Sequence, residues 1–409
     1  MTTVVVIGSG GREHALADVL ARTAETVIVT PGNPGIPGSV DTPATELDAD
    51  LFVIGPEVPL VAGLADDLRA QGKLVFGPGA DGAQLEGSKS YMKDVLVSAG
   101  VPTAAYGSFT EVEPALEFLA TVSAPFVLKT DGLAAGKGVL VTDSRERAEA
   151  AIPEYLSGDA FGEAGATLVI EEGLSGPEVS VFAICDGTKA VALAPAQDHK
   201  RVFDSDLGPN TGGMGAYTPL AWADPDLVDV VMRDHIEPTL AELQRRGIDY
   251  RGVLFAGLML TEDGPKMLEY NIRFGDPETQ VILPRIDSDL VELLSQAAAG
   301  DITATPVFSS DSLAIVVCAS EGYPSTPRTG DVISGIDAAR GVDGVSVYAA
   351  GVKENASGEL ITGGGRVLNI VGRGPTIEDA VTAAYDGVQH ISWPGMHYRS
   401  DIAKQAIET

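Results

Sequence analysis

Basic residues are scarce in this sequence. Its 409 residues carry 27 Lys and Arg against 58 Asp and Glu, a formal net charge of −31. A phosphate backbone needs a basic face, so this balance argues against a nucleic-acid partner. Small anionic ligands are not excluded, because a few local cations can hold them inside a negative molecule. Cysteine is almost absent. Cys185 and Cys318 cannot form a disulfide framework, neither stands at metal-ligand spacing, and both lie among apolar residues, as small core side chains do. No apolar run reaches the roughly 18 residues of a membrane span. The opening MTTVVVIG lacks the basic flank of a signal peptide, so the expectation is a cytoplasmic protein with no membrane partner. There is no internal repeat and no Ser-His-Asp or Cys-His constellation.

What is present is ordinary for a globular chain: 44% hydrophobic and 21% charged residues, in a length that allows two to four domains. Over the first hundred residues, short apolar runs at Val4–Ile7, Thr26–Thr30, Leu51–Gly55 and Lys73–Gly77 open into glycine- and proline-rich loops. Strands whose carboxyl ends all meet such loops describe an open α/β sheet with a ligand crevice along that edge. From about residue 102 the texture changes. Strands are expected at Pro125–Thr130, Val139–Thr142 and Thr167–Glu171, and hairpins about Asp186-Gly187 and Asp263-Gly264. The stretch 198–217 (DHKRVFDSDLGPNTGGMGAY) reads as a long functional loop, too polar and glycine-rich for a core element. A smaller α+β unit begins near 312.

Four motifs carry chemistry. GSGGREHA at 8–15 follows a strand and opens a helix, but the third glycine of a dinucleotide fingerprint falls on Glu13, which disfavours NAD. Backbone N–H groups at a helix start beside Arg12 can bind phosphate; a tight turn with a solvated Arg12 fits equally. DGLAAGKGV at 131–139 has the wrong spacing for a P-loop and suits a flexible glycine flap over polyphosphate, or a plain surface loop. Lys129 and the Glu171/Glu172 pair end strands, where such residues are ordinarily solvated. In EYNIRFGDPE at 269–278, Glu269, Asn271 and Arg273 alternate and so project from one strand face. A carboxylate and an amide oxygen at that spacing suit Mg²⁺, and an adjacent Arg can clamp a carboxylate.

Several stretches in order, GSGGREHALA, GPEVPLVAG, EGSKSYMKD, KTDGLAAGKGV, VIEEGLSGPEVS, QDHKRVFDSDLGPNTGGMGAYTP and EYNIRFGDPETQ, resemble the phosphoribosylamine–glycine ligase (glycinamide ribonucleotide synthetase) family of the ATP-grasp superfamily. The resemblance spans almost the whole chain. It implies an α/β and α+β multidomain protein: a Rossmann-like pre-ATP-grasp domain at 1–101, an ATP-grasp domain at 102–311 with a mobile lid at about 122–190, and a small C-terminal α+β domain at 312–409. It implies ligation of glycine to 5-phosphoribosylamine at the expense of ATP, with Mg²⁺ or Mn²⁺, in purine biosynthesis, by a monomer.

By position, the resemblance gives Lys89 and Lys129 to the ATP phosphates and Gly136, Lys137 and Gly138 to the flap. Glu171, Glu172 and Leu174 fall to the adenine, Glu178 to the ribose, and Glu269 and Asn271 to the metal. Gly10, Gly11, Arg12 and Glu13 fall to phosphoribosylamine. The 275–278 GDPE turn, with Gly275, Asp276, Pro277 and Glu278, falls together with Arg273 to glycine and the acyl phosphate. Asp198, Lys200, Arg201 and the loop carrying Asn210, Gly213 and Gly215 close around the reacting groups. Ser9 and Ile272 replace the family's usual Asn and Cys. The strand stretch Phe255–Leu260 supplies no second metal carboxylate. Another ATP-grasp ligase or a nucleotide-sensing relative is the alternative.

Overall fold

The computed structural model describes residues 2–132, 138–157 and 167–407. Thr3–Gly8, Thr26–Pro31, Leu51–Ile54 and Val75–Phe76 form a parallel sheet with Thr3–Gly8 and Leu51–Ile54 innermost. Val4, Val5, Val6, Leu51, Phe52 and Val53 are all fully buried, as strands covered on both faces require. The expected strand at Lys73–Gly77 shrinks to two residues, Val75 and Phe76, the two that pair with Phe52 and Val53. Helix Gly11–Leu20 starts directly beyond the first strand.

A second sheet is antiparallel, in the order Tyr106–Phe109, Leu168–Glu172, Phe126–Thr130, Val139–Thr142. Helices Val112–Leu119 and Arg145–Leu156 cover it. Its core, built on Leu119, Leu128, Ile152 and Ile170, is separate from the main one, so this unit packs around itself. The body beneath it is the sheet Ala190–Ala192, Glu178–Asp186, Arg251–Thr261, Gly264–Asn271, whose two hairpins turn where the sequence places them. Cys185 lies buried on one of these strands, and burial drives its thiol pKa far upward.

The stretch 198–217 is not one loop. It holds Arg201–Phe203 paired with Leu207–Asn210, and a fully buried strand, Gly215–Thr218. That strand pairs with Ser312–Ala319, so the five-stranded C-terminal sheet draws two members, Gln197–Asp198 and Gly215–Thr218, from more than ninety residues upstream. Four residues among glycines and prolines carry too little periodicity to announce a core strand. The rest of that sheet is Arg366–Gly374 and Val345–Ala349, backed by helix Ile377–Val388. Among the described residues, no helix is long and apolar enough to cross a membrane.

Candidate active site

Where the first sheet's loops, the body sheet and the C-terminal unit converge, they enclose a cavity of about 500 Å³. The body hairpin builds one wall. Gly257 pairs with Glu269 and Phe255 with Asn271, and Glu269 and Asn271 both face the cavity. The strand ends at Asn271, so Arg273 lies beyond it rather than on it, yet it still lines the cavity. Its guanidinium is fixed by Glu86 at 3.1 Å, Glu57 at 3.4 Å and the Asn271 side-chain oxygen at 3.1 Å. Burial opposes that charge, but Glu86 and Glu57 hold the Arg273 pKa above its ordinary value. Burial likewise opposes ionisation of Glu269, and Lys200, Lys129, Lys89 and Arg273 outweigh it, keeping the carboxylate charged.

Helix Lys89–Ala99 supplies a second wall. Ser88 caps it by accepting from the Tyr91 N–H, and Ser88 and Ser90 both bond the Asp131 carboxylate. This joins the helix start to the far end of strand Phe126–Thr130 and places Lys89 on the cavity, its Nζ donating to the Gly132 carbonyl at 3.1 Å. One turn on, Lys93 Nζ lies 2.8 Å from Glu171, and Lys129 reaches the other Glu171 oxygen at 2.8 Å. Lys93, Glu171 and Lys129 are only 0%, 2% and 7% exposed, so the solvated reading does not hold for Lys129 and Glu171, while Glu172 stays half-buried. The two ammonium groups overcome burial and hold the Glu171 carboxyl below its usual range.

The third wall joins distant segments. Arg12 bonds Glu13 at 2.6 Å and the Phe274 carbonyl at 2.9 Å. Glu13 turns into its own loop, where it accepts the Gly10 N–H at 2.7 Å. A Cβ on Gly55 would sit 2.1 Å from Glu13 Oε1, so the loop closes only because that side chain is absent. Lys200 pairs with Glu178, and Asp198 stands beside them. The Asp198 carboxyl is raised to about 7, chiefly by burial, with Lys200 opposing the rise and the Glu278 and Glu178 carboxylates adding to it. Burial also raises Glu278, which accepts from the Ser180 hydroxyl at 3.2 Å.

The structure thus brings Arg12, Lys89, Gly138, Glu178, Asp198, Lys200, Glu269, Asn271, Arg273 and Asp276 onto one cavity. Lys129 and Glu171 lie behind its wall as an ion pair. Arg201 and Asn210 instead line a second cavity of about 380 Å³, which shares Glu178, Asp198 and Lys200 with the first and has Val141 of the small sheet on its wall. Gly215 is packed under Ile402. Glu172 accepts the Ala105 N–H at 3.0 Å, and Leu174 is half-buried just beyond that strand. Gly10 and Gly11 form the turn into the first helix. Gly213, at φ +108°, lies against the Pro277 ring, and Gly275 lies against Glu278. Gly136 and Lys137 fall outside the described residues.

Sequence reasoning missed Glu57, Glu86, Lys93, Tyr323 and Arg366, whereas Glu278, the last residue of the 275–278 turn, lines the cavity with Asp276. Lys93 had a signal, since it stands four residues after Lys89 on the same helix face. Five cationic side chains and seven carboxylates line the larger cavity, so local cations alone do not make it attractive to anions. Among the described residues there is no cluster of three His, Cys, Asp or Glu able to hold a metal. Glu269 and Asn271 can, however, offer two oxygen donors to an ion whose other ligands are phosphate and water, as Mg²⁺ prefers.

Known proteins resemble this arrangement throughout. Family models for the phosphoribosylglycinamide synthetase N domain, ATP-grasp (A) domain and C domain match residues 2–86, 87–279 and 313–405. Phosphoribosylamine–glycine ligase of Mesorhizobium japonicum is 46% identical over 420 residues, covering 99% of this chain and 98% of that protein. The enzyme of the same name from Caulobacter vibrioides is 46% identical over 423 residues, covering 99% of each. The crystal structure of phosphoribosylamine–glycine ligase from Thermotoga maritima superposes with a TM-score of 0.88 at 33% identity, covering 98% of this chain and 99% of that one. The biotin carboxylase domain of Hydrogenobacter thermophilus 2-oxoglutarate carboxylase, in complex with MgADP, shares the fold alone, at 17% identity and a TM-score of 0.74 over 97% of this chain and 91% of that one. With its three domain types in order and close relatives matched end to end, the chain belongs to the phosphoribosylglycinamide synthetase family, on an ATP-grasp fold.

Proposed function

We propose that this chain is an ATP-dependent ligase that forms a C–N bond between glycine and 5-phosphoribosylamine, giving glycinamide ribonucleotide, ADP and phosphate in purine biosynthesis. One observation carries the reading. A single cavity joins Lys89, Gly138, Glu269 and Asn271, suited to nucleotide phosphates, to Arg12 and the Asp276 turn, suited to a phosphorylated amine and an amino acid. A glycine carboxylate oxygen attacks the γ-phosphorus, the bond to the β–γ bridging oxygen breaks, and ADP leaves. The amine nitrogen then attacks the carbonyl carbon of glycyl phosphate, inorganic phosphate leaves, and the nitrogen loses a proton. Neither step needs a protein nucleophile, so holding the reactants in line and neutralising charge carry the catalysis.

Lys89 and Lys129 serve the phosphates with Lys137 and the glycines of the flap, Gly136 and Gly138. The Glu171–Leu174 segment, including Glu172, serves the adenine through its backbone, since the Glu171 side chain is already engaged by the two lysines. Glu178 serves the ribose. Glu269 and Asn271 hold Mg²⁺ or Mn²⁺, which when bound neutralises phosphate charge in a cavity otherwise rich in carboxylates. The helix start at Gly10, Gly11, Arg12 and Glu13 takes phosphoribosylamine. Arg273 with Gly275, Asp276 and Pro277 takes glycine, while Asp198, Lys200, Arg201 and the loop of Asn210, Gly213 and Gly215 close around them. In this reading the working unit is a monomer.

The test is ADP release with Mg²⁺, glycine and fresh phosphoribosylamine, omitting each in turn. ADP formed only with both co-substrates, beside glycinamide ribonucleotide, is the expected result. Nucleotide binding without that dependence would leave another ATP-grasp substrate, or a sensor.

A further inference from the structure

The C-terminal unit carries no sequence motif, yet two of its side chains reach the cavity wall: Tyr323 and Arg366. Arg366 stands at the start of strand Arg366–Gly374. One of its terminal nitrogens donates to the Gly212 carbonyl at 2.6 Å and to the Asp276 carbonyl at 2.7 Å, and the other to Asp276 Oδ2 at 2.8 Å. Tyr323 Oη accepts the Gly212 N–H at 3.0 Å. Both polar groups of the Gly212 backbone are therefore held by the C-terminal unit. Its neighbour Gly213 packs on Pro277, so the Gly212 loop and the Asp276 turn are one assembly.

From this geometry we propose that Arg366 is a positioning residue of the ligase site: it locks the Gly212–Gly213 loop to the Asp276 turn and aims the Asp276 carboxylate at a substrate amino group. The other Asp276 oxygen accepts from Gln280 at 2.7 Å, so the carboxylate plane is fixed from both sides. An ionised carboxylate has about four lone-pair positions, and the protein uses only part of them. Asp276 faces the cavity with the rest, beside Arg12. A fork of planar donors is needed for three acceptors in two loops, and a lysine cannot reproduce it. The C-terminal domain is then part of the machinery rather than a structural appendage. The kinetic half of this inference rests on the ligase reading; the tie between the loops does not.

The experiment compares wild type with Arg366→Met, Arg366→Lys, Asp276→Asn and the Asp276→Asn/Arg366→Met double variant in the full-length chain. KM is measured separately for ATP, glycine and phosphoribosylamine, and amide hydrogen exchange is followed at 211–214. Arg366→Met should accelerate exchange there and raise the KM of an amino substrate, or lower kcat, by roughly 10–100-fold, the scale of losing orientation. The KM for ATP should stay within about twofold. The double variant should be no worse than the worse single one, because both changes remove the same interaction. Arg366→Lys should recover only part of the loss. Equal losses for ATP and the amino substrates, additive losses in the double variant, or unchanged exchange would overturn the proposal. If Arg366→Met does not fold, Tyr323→Phe, which removes only the acceptor for the Gly212 N–H, must still accelerate exchange at 211–214, and unchanged exchange there refutes the tie. A wild type with no co-substrate-dependent ADP would sink the ligase reading, while the exchange result would still decide the tie.

Discussion

Two buried ammonium groups sharing one carboxylate should make the wall behind the larger cavity respond very unevenly to substitution. Lys93 has its pKa lowered from an ordinary 10.5 to about 8, because complete burial outweighs the attraction of Glu171. At about 1.4 kcal/mol per unit, the folded protein carries a penalty of about 3 kcal/mol for that charge at neutral pH. Glu171→Gln removes the carboxylate that both lysines need, and stranding a buried charge costs about 3–5 kcal/mol. Lys93→Met keeps the Glu171–Lys129 pair and removes the penalised charge, so it should be close to neutral or stabilising at pH 7. The pH dependence has a definite sign. Lys93 has a folded pKa below its unfolded one, so the penalty is complete below pH 8 and is relieved as pH rises from 8 towards 10.5. Calorimetry on wild type and both variants at pH 7 and 9.5 tests this. Glu171→Gln should lower Tm by about 5 °C, while Lys93→Met should not. The wild type should gain on Lys93→Met between the two pH values. Equal losses in the two variants at pH 7, or a wild-type minus Lys93→Met difference that ignores pH, would refute the reasoning.

Three further outcomes are expected. Glu269→Ala should fold but lose at least about 100-fold in turnover, together with the Mg²⁺-dependent thermal shift given by ATP; unchanged turnover would remove Glu269 from the metal site. Asp198, at about 7 when folded against roughly 3.9 when unfolded, takes up a proton on folding between those values. Its contribution to stability is therefore greatest below about pH 4 and is lost as pH rises through 7, and turnover should inflect near pH 7. Asp198→Asn should flatten both profiles, and a surviving inflection would assign it elsewhere. Gly55→Ala would place its Cβ 2.1 Å from Glu13 Oε1 and should cost about 1–3 kcal/mol in denaturant unfolding; a neutral effect would mean that Glu13 does not depend on that gap.

Residues whose chemistry is announced by their neighbours were legible in the sequence. Glu269, Asn271 and Arg273 are two apart in one hairpin arm and its exit, and all three reach the cavity. Lys89 opens a helix capped by the serine before it. Local pattern gave no hold on Glu57 and Glu86, each a single carboxylate at a helix boundary that matters only because Arg273 lies across from it. The fate of Glu171 depends on Lys93, 78 positions earlier. Arg366 meets Asp276 across 90 positions and Gly212 across 154. Such contacts belong to packing, and no window along the chain contains them. Gly215–Thr218 failed for the opposite reason: it is local, but four residues are too few to show a period.

The chain's two thiols offer a practical opening. Both are fully buried, and burial lifts Cys318 to about 12 and Cys185 higher still, leaving almost no thiolate at neutral pH. Alkylating dyes should pass the native protein by. A cysteine introduced at Val141, which is 48% exposed on the edge of the small sheet and borders the second cavity, would then be the one site a dye could take. The molecule thus comes ready for a single-probe fluorescence test of whether that sheet moves when ATP is added.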